Sequence, residues 1–245
     1  MEYARSACGN GCDENDTNRI FLVADPIGRH IVQSLAKPGG NVTGATNFES
    51  AMGSKWVGLL QDLSPTIARV GNLTNTQNPG ERRIQAAIEE AALGKGLSTT
   101  TIAVEKQEDI KSTLELFAGA GSGGLVIIPG IATNAASGLI IDSAARLNLP
   151  AIFPFRYYAE SGGLASYGVD QSELARRSAS QVAQILQGVQ VEGIPVEGPT
   201  RFEFVLNLKT ARRPGIVVPP THLIAACDRV APCGFAYGSH HLTRS

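Results

Sequence analysis

The segment that decides the fold is RVGNLTNTQNPGERRIQAAIEEAALGKGLSTTTIAV, residues 69–104. It begins with a short run of apolar and β-branched residues, Arg69 to Leu73, and continues with apolar residues at helical spacing from Glu81 to Leu93. It ends with a second β-branched run, Thr99 to Val104. A strand, a helix and a further strand in this order are typical of parallel α/β layers. The segment therefore predicts one strand–helix–strand unit of a parallel sheet.

The same alternation continues toward the carboxyl terminus. It predicts helices at 110–117, 135–147 and 173–186, and strands at 125–128, 151–153 and 163–167. With the strands at 69–73 and 99–104, these elements make a nearly complete doubly wound sheet in one contiguous block. We expect this block to fold as one domain.

The sequence on either side of the block is less complete. Upstream, it predicts strands at 20–24 and 41–46 and helices at 28–36 and 48–63; downstream, it predicts one strand at 202–206. Three short strands are stable only as part of a larger packed unit, so we expect them to pair with one another. The chain would then leave a partial first lobe, build the second lobe, and return to the first near Pro199.

Composition and charge limit the classes of partner. The chain has 245 residues, of which 43% are hydrophobic and 18% charged, which is typical of a soluble globular protein with one or two domains. Its 21 Lys and Arg nearly balance 22 Asp and Glu, so no net field favours nucleic acid or an anionic membrane surface. The apolar runs are far shorter than the roughly 20 residues that a membrane helix needs. We predict no membrane span.

The two ends of the chain contain all four cysteines. Residues 1–16 lack the basic start and apolar stretch of a secretory signal, so the chain as written would remain cytoplasmic. The spacing of the cysteines differs from that of common zinc ribbons, which favours free thiols, or a disulfide under oxidising conditions, over a metal site. They are Cys8, Cys12, Cys227 and Cys233.

The sequence lacks the patterns of the common enzymes of α/β fold. Residues 119–124, GAGSGG, match the letters of a dinucleotide fingerprint, but they precede a predicted strand, whereas phosphate binding requires them after one. There is no nucleophile elbow, zinc-protease motif or Walker loop. We therefore predict that the chain is not an enzyme and binds no cofactor, with a Rossmann-type enzyme as an alternative because fold alone does not decide function.

Five stretches in order resemble one family. They are ADPIG (24–28), LAKPGGNVTG (35–44), LPAIFPFRY (149–157), GGLASYG (162–168) and FVLNLKTA (204–211). Over about residues 20–228 the chain is similar to ABC-type substrate-binding proteins related to tryptophan/tyrosine-type receptors. The resemblance implies a type I periplasmic-binding-protein fold, with two Rossmann-like lobes and a ligand cleft between them.

The resemblance also implies a function. The chain would be the periplasmic solute-binding component of an ABC importer, with an ABC permease as its partner and an amino acid, aromatic acid or similar carboxylate as its ligand. A ligand-sensing domain of a regulatory system is the alternative, but the sequence lacks a DNA-binding helix pair or membrane helix that would serve as an output module.

The ends depart from the family pattern. Such proteins begin with a signal peptide and further strand–helix units of the first lobe, so we expect lobe one to be incomplete and the chain to be N-terminally truncated. The predicted organisation is an atypical segment at 1–18, partial lobe one at 19–47 plus 199–228, lobe two with its hinge-crossing helices at 48–198, and an atypical tail at 229–245.

Ligands of open α/β sheets bind beyond the carboxyl ends of the strands, where helices begin. This rule gives eleven candidate ligand-binding residues. In lobe one they are Asp25, Thr46 and Asn47; in lobe two they are Asn72, Asn75, Pro129, Thr133, Phe155, Arg156, Tyr167 and Asp170.

The candidates match the groups of a small amino acid or carboxylate. Arg156 would hold an acidic group, Asp25 or Asp170 an ammonium, and Phe155 or Tyr167 would stack on the ligand. Each aspartate has an equally good alternative role as the N-cap of the helix that follows it. The neighbouring Tyr157 and Tyr158 are expected to support the hinge or the core.

Overall fold

A computed structural model describes residues 18–23, 26–27, 30–48, 51–104, 106–213, 215–222 and 235–240, of which 18–23 and 235–240 are described as backbone strands only. The four cysteines, Asp25 and most of both atypical ends lie outside the described residues. The chain forms two compact units. Unit one comprises Met1–Glu49 and Val169–Thr200, and unit two comprises Ser50–Gly168 and Arg201–Ser245.

Strands and helices alternate through most of the chain. In chain order they are β1 (Asn18–Val23), β2 (Val42–Thr46), α1 (Ala51–Leu63), β3 (Arg69–Thr74), α2 (Pro79–Gly94), β4 (Ser98–Ala103), α3 (Ile110–Gly119), β5 (Gly123–Ile127), α4 (Ile131–Ala135), α5 (Ser137–Arg146), β6 (Ala151–Phe153), α6 (Arg156–Glu160), β7 (Ala165–Val169), α7 (Gln171–Leu186), β8 (Phe202–Asn207) and β9 (Phe235–His240).

Unit one is built on the parallel pair β1 and β2. Helix α7 lies against β2, where the Nε2 of buried Gln181 donates to the carbonyl oxygens of Gly44 at 3.1 Å and Pro195 at 3.0 Å. The extended segment around Glu197 pairs with β2, since the N–H of Thr46 donates to the carbonyl of Glu197 at 2.9 Å. A small apolar core of Val32, Val42 and Val196 completes the unit.

Unit two is built on a seven-stranded sheet in the order β4-β3-β5-β6-β7-β8-β9. The pairs from β4 to β7 are parallel, and β8 and β9 are antiparallel. The end of β8 lies beside the start of β7, because the N–H of Asn207 donates to the carbonyl of Leu164 at 2.9 Å. The sheet is therefore mixed but mainly parallel, as the alternation of strands and helices predicted.

Helices cover both faces of this sheet, and glycines let two of them approach closely. A Cβ at Gly124 would meet Leu60 of α1 at 2.9 Å, whereas a Cβ at its neighbour Gly123 would meet Phe117 of α3 at 2.7 Å. Adjacent strand residues point to opposite faces, so α1 and α3 pack on opposite faces of the sheet. Trp56 and Leu60 of α1 are fully buried in the resulting core.

Most predicted elements are confirmed, with shifted ends, but the helix at 28–36 is wrong over the described residues 30–36. These residues form turns instead. His30 has a φ of 55°, in the left-handed region that ends a right-handed helix, and the N–H of Ile31 donates to the carbonyl of Pro26 at 2.9 Å. The N–H of Gln33 donates to the carbonyl of Pro38 at 3.1 Å, which closes a further turn.

The predicted pairing of the strand at 202–206 with the strands of lobe one is also wrong. Strand β8 belongs to the large sheet of unit two, where the ring of Phe202 stacks on that of Tyr167 with 5.8 Å between their centroids. This position buries Phe202, Phe204 and Leu206 against a large core, which the two-stranded sheet cannot offer. Conversely, residues 169–198, predicted within lobe two, belong to unit one.

Two further observations complete the architecture. Strand β9 lies within the predicted atypical tail at 229–245, and it pairs with the whole length of β8. Among the described residues, no helix combines the length and the apolar character that crossing a bilayer requires.

Candidate functional site

The loops that follow three parallel strands of unit two lie at one edge of the sheet. Strands β3, β5 and β6 are neighbours and run in the same direction, so the segments that follow them lie side by side. These segments are residues 75–81, 129–134 and 154–158, which together we name the carboxyl edge. Five predicted site residues belong to the carboxyl edge: Asn75, Pro129, Thr133, Phe155 and Arg156.

A buried carboxylate organises the first segment of the carboxyl edge. Glu81, in the first turn of α2, is 3% exposed. Its Oε2 accepts hydrogen bonds from the Thr74 hydroxyl at 3.1 Å and the Asn75 N–H at 2.7 Å, and its Oε1 accepts from the Asn78 amide at 3.1 Å. Burial raises the pKa of Glu81 above the usual range of a glutamate, and the hydrogen bonds from Asn75, Thr74 and Asn78 offset only part of this effect.

The same carboxylate lies against the second segment, at Gly130. A Cβ on Gly130 would be 2.3 Å from Oε1 of Glu81 and 2.7 Å from its Cδ. The φ of Gly130 is −163°, which any residue adopts, so the lack of space and not the backbone conformation excludes a larger residue here. The contact between Glu81 and Gly130 therefore sets the spacing between the loop after β3 and the loop after β5.

A stack of aromatic rings supports the third segment. Consecutive ring centroids are 5.0 Å apart from Phe153 to Tyr158, 4.4 Å from Tyr158 to Tyr157 and 5.8 Å from Tyr157 to Phe155. The hydroxyls of Tyr157 and Tyr158 both donate to Oδ1 of Asn134, at 3.1 Å and 2.7 Å. Burial raises the pKa of both phenols, so both remain protonated donors at neutral pH.

The structure gives Arg156 partners within unit two. Its Nη2 lies 3.1 Å from Oε1 of Glu160 and its Nη1 lies 3.3 Å from Oε2 of Glu203. The guanidinium predicted to hold an acidic ligand group thus already pairs with two carboxylates. The pair with Glu160 lies within α6, and the pair with Glu203 joins the start of α6 to β8.

Both aromatic residues predicted to stack on a ligand are buried by other side chains. Tyr167 is 2% exposed; its ring stacks on Phe202, and Nζ of Lys55 lies 5.8 Å from the ring centroid. Its carbonyl accepts from Nε1 of Trp56 at 2.6 Å. Phe155 is 6% exposed and stacks on Tyr157. Tyr157 is half-buried, so its ring is more accessible than those of Tyr167 and Phe155.

The remaining predicted residues of unit two differ in accessibility. Asn72 lies inside β3 and is fully buried, and neither polar atom of its side chain has a hydrogen-bond partner among the described residues. Thr133 is also buried, and its hydroxyl donates to the carbonyl of Ile128 at 2.8 Å. Asn75 and Pro129 are half-buried at the carboxyl edge.

In unit one, the predicted residues take mainly structural positions. Thr46 and Asn47 are buried at the end of β2. Asp170 is the N-cap of α7, because its Oδ1 accepts from the N–H groups of Ser172 at 3.0 Å and Glu173 at 3.1 Å. Of the two roles open to Asp170, the structure contains the cap; Asp25 lies outside the described residues.

Sequence reasoning missed two residues that organise the carboxyl edge, Glu81 and Asn134. For Glu81 a signal existed, since Asn78 followed three residues later by a glutamate is a capping-box pattern at a helix start. For Asn134 no local signal existed, since its partners Tyr157 and Tyr158 are 23 and 24 residues away along the chain.

Comparison with known proteins agrees with the resemblance seen in the sequence. The profile of the ABC transporter substrate binding protein family matches residues 19–230. A curated tyrosine-binding protein of Clostridioides difficile (strain R20291) is 26% identical over 201 residues, which are 79% of this chain and 55% of that protein. The chain thus spans little more than half the length of this relative.

Solved structures give the same result for the fold. An ABC domain from Streptococcus pneumonia, crystallised in complex with L-Trp, superposes with a TM-score of 0.78 at 25% identity, covering 86% of this chain and 73% of that one. A ligand-free substrate binding protein with adhesive properties from Clostridium difficile superposes with a TM-score of 0.64 at 22% identity, over 84% of this chain and 69% of that one.

The comparisons confirm the predicted fold class, the type I periplasmic-binding-protein fold. They also agree with the prediction that the chain is not an enzyme, because the matching relatives are substrate-binding proteins. The profile covers most of the chain and the two-unit α/β architecture agrees with it. The chain belongs to the ABC transporter substrate binding protein family.

Proposed function

We propose that this chain binds an aromatic amino acid, or a closely similar aromatic carboxylate, at the carboxyl edge of unit two. Two relatives support this ligand class, one named as a tyrosine-binding protein and one crystallised with L-Trp. The observation that carries the proposal is the composition of the carboxyl edge. It combines accessible apolar and aromatic surface with neutral hydrogen-bonding groups.

The apolar part of this surface comes from two segments. Ile131 is 90% exposed at the start of α4, so its apolar side chain is accessible at the carboxyl edge. Pro129 and Tyr157 are half-buried on the same edge. An indole or phenol ring that packs on these residues would remove their apolar surface from water, at a gain of roughly 25 cal/mol per Å².

Beside Arg156, which is paired with two carboxylates, the polar part of this surface includes two side chains that carry no charge. Asn75 is half-buried, its Oδ1 accepting from the Gln77 N–H at 3.0 Å, and Asn134 is exposed. Small-molecule sites typically combine such apolar walls with a few fixed polar groups that orient the ligand. This chemistry suits a small zwitterion with an aromatic side chain.

We further propose that the protein delivers this ligand to the permease of an ABC importer outside the cytoplasm. Membership of the substrate-binding family supports this role. In such a system the liganded form of the receptor differs from the free form, and the ligand stabilises that form by its differential affinity for it. The partner would therefore be a permease that reads the liganded form.

The test is isothermal titration calorimetry with L-tryptophan and L-tyrosine, with L-lysine and L-glutamate as charged comparison ligands. We expect saturable binding of an aromatic amino acid and none of the charged ones. Ile131→Ala should weaken binding several-fold, because it removes apolar contact at the carboxyl edge.

Leu116→Ala is the matched control, since Leu116 is an equally large side chain, 78% exposed, on α3 away from the carboxyl edge. Its affinity should equal that of the wild type. Absence of binding to either aromatic amino acid would contradict the ligand class. Equal binding by the Ile131→Ala and wild-type proteins would contradict the location.

A further inference from the structure

The carboxyl edge contains one carboxamide whose orientation is fixed by its neighbours. Oδ1 of Asn134 accepts two hydrogen bonds, from the hydroxyls of Tyr157 at 3.1 Å and Tyr158 at 2.7 Å. A carbonyl oxygen has two lone pairs, so these two donors fill its accepting capacity. The Nδ2 group of the same amide, which is a donor only, then faces away from the two tyrosines.

The tyrosines that hold this amide are themselves well fixed. Tyr158 is fully buried and its ring stacks between those of Phe153 and Tyr157. A carboxamide held by two positioned hydroxyls loses little conformational freedom when it binds a ligand, which increases the affinity that one hydrogen bond provides. Among the described residues, Nδ2 of Asn134 has no hydrogen-bond partner, and the side chain is exposed.

The cation expected to bind an acidic group is differently engaged. Arg156 pairs with Glu160 and Glu203, so a ligand carboxylate would have to compete with two carboxylates of the protein for this guanidinium. A neutral donor that faces outward from the same edge needs no such exchange. We infer that Nδ2 of Asn134, oriented by Tyr157 and Tyr158, donates a hydrogen bond to the carboxylate of the bound ligand.

This inference rests on the proposed function, and it identifies the group on the ligand that Asn134 recognises. It therefore predicts that the effect of changing Asn134 depends on whether the ligand has a carboxylate. Three probes test this dependence: L-tryptophan has both a carboxylate and an ammonium, indole-3-propionate has only the carboxylate, and tryptamine has only the ammonium. Each is titrated into the wild type and into each variant by calorimetry.

Asn134→Ala should weaken L-tryptophan and indole-3-propionate by about tenfold to a hundredfold, the usual effect of losing a hydrogen bond to a charged group. Tryptamine should change less than twofold. Asn134→Asp keeps an acceptor for both tyrosines but presents a negative charge to the ligand, so it should weaken the two acids further. It should not weaken tryptamine.

Three other variants separate this role from competing ones. Tyr157→Phe removes one of the two hydroxyls that orient the amide and should weaken the acids by a smaller factor, again without effect on tryptamine. Arg156→Gln should leave the ratio of affinities for indole-3-propionate and tryptamine unchanged. Asn148→Gly, which removes an exposed carboxamide at a residue with φ of 53° suited to glycine, should bind like the wild type.

Four outcomes would overturn the inference. If Asn134→Ala weakens all three probes equally, Asn134 contributes packing and does not recognise the carboxylate. If it weakens none, Asn134 does not contact the ligand. If only Arg156→Gln weakens the acids, Arg156 recognises the carboxylate. If the wild type binds neither L-tryptophan nor L-tyrosine, the proposed function fails and the inference fails with it, which distinguishes this case from the other three.

Discussion

The contact between Glu81 and Gly130 predicts a strong coupling between two substitutions. In Gly130→Ala the new Cβ would lie 2.3 Å from Oε1 of Glu81, a separation that atoms do not tolerate, so the carboxylate must move. Moving it breaks hydrogen bonds with Thr74 at the end of β3 and with Asn75 and Asn78 in the loop before α2. Each such bond to a charged group contributes about 1.5–3 kcal/mol, and the contributions are not additive.

The expected cost follows from these values. Alanine in place of glycine would by itself stabilise the chain by about 0.4–1 kcal/mol through the unfolded state, because the φ of Gly130 suits any residue. After this gain, Gly130→Ala should lower the free energy of unfolding by about 2–4 kcal/mol. Glu81→Ala should lower it by a similar amount, since the same donors lose their acceptor.

The double variant decides between this explanation and a general sensitivity of the loops. With the carboxylate removed, the methyl group introduced by Gly130→Ala meets no obstacle, so this substitution should cost nothing in the Glu81→Ala background. Urea denaturation followed by far-ultraviolet circular dichroism measures all four proteins. Gly138→Ala is the control, because a Cβ at Gly138 in α5 meets nothing within 4 Å and should stabilise the helix slightly. Costs that add within about 0.5 kcal/mol would refute the reasoning.

Two further predictions concern the core of unit two and the pH dependence of stability. Trp56→Phe removes the donor to the Tyr167 carbonyl and leaves a cavity at a fully buried position, so the free energy of unfolding should fall by about 2–4 kcal/mol. Lys55→Gln, on the same helix, should change the free energy of unfolding by less than about 1 kcal/mol. Equal effects of the two substitutions would contradict the role of the hydrogen bond. Because burial raises the pKa of Glu81 in the folded state, the stability that its protonated form contributes is present below the unfolded-state pKa and is lost as the pH rises through the folded-state value. Denaturation between about pH 4 and pH 8 should therefore show the wild type losing stability relative to Glu81→Gln as the pH rises, and the opposite slope would show that the hydrogen bonds outweigh desolvation.

The sequence predicted the strands and helices of unit two well because each has a strong local signal. The run from Arg69 to Val104 has a β-branched segment, a segment with apolar residues at helical spacing, and a second β-branched segment. This pattern predicts strand, helix and strand, and the structure has β3, α2 and β4 there. The turn region after Pro26 has the composition of a helix, but hydrogen bonds to Pro26 and Pro38 stabilise turns instead. Composition alone does not distinguish these turns from a helix.

Pairings between distant segments were beyond sequence reasoning. Strand β8 has the same local pattern whether it pairs in a small sheet or a large one, and the choice depends on the total apolar surface that each position buries, including the stack of Phe202 on Tyr167. The candidate site shows the same limit. The edge at which it would form follows from the topology rule, but the partners of Arg156, Tyr167 and Asn134 come from other elements, and they decide which side chains remain accessible.

The environment of Trp56 gives the protein a built-in optical probe of one unit. Trp56 is the single tryptophan of the chain, and it is fully buried in unit two, so its emission should lie at short wavelength and shift to longer wavelength only when unit two unfolds. Circular dichroism, by contrast, reports helices from both units, including α7 of unit one. Melting curves that coincide for the two signals would mean that the units unfold cooperatively, whereas separated curves would give each unit its own transition temperature.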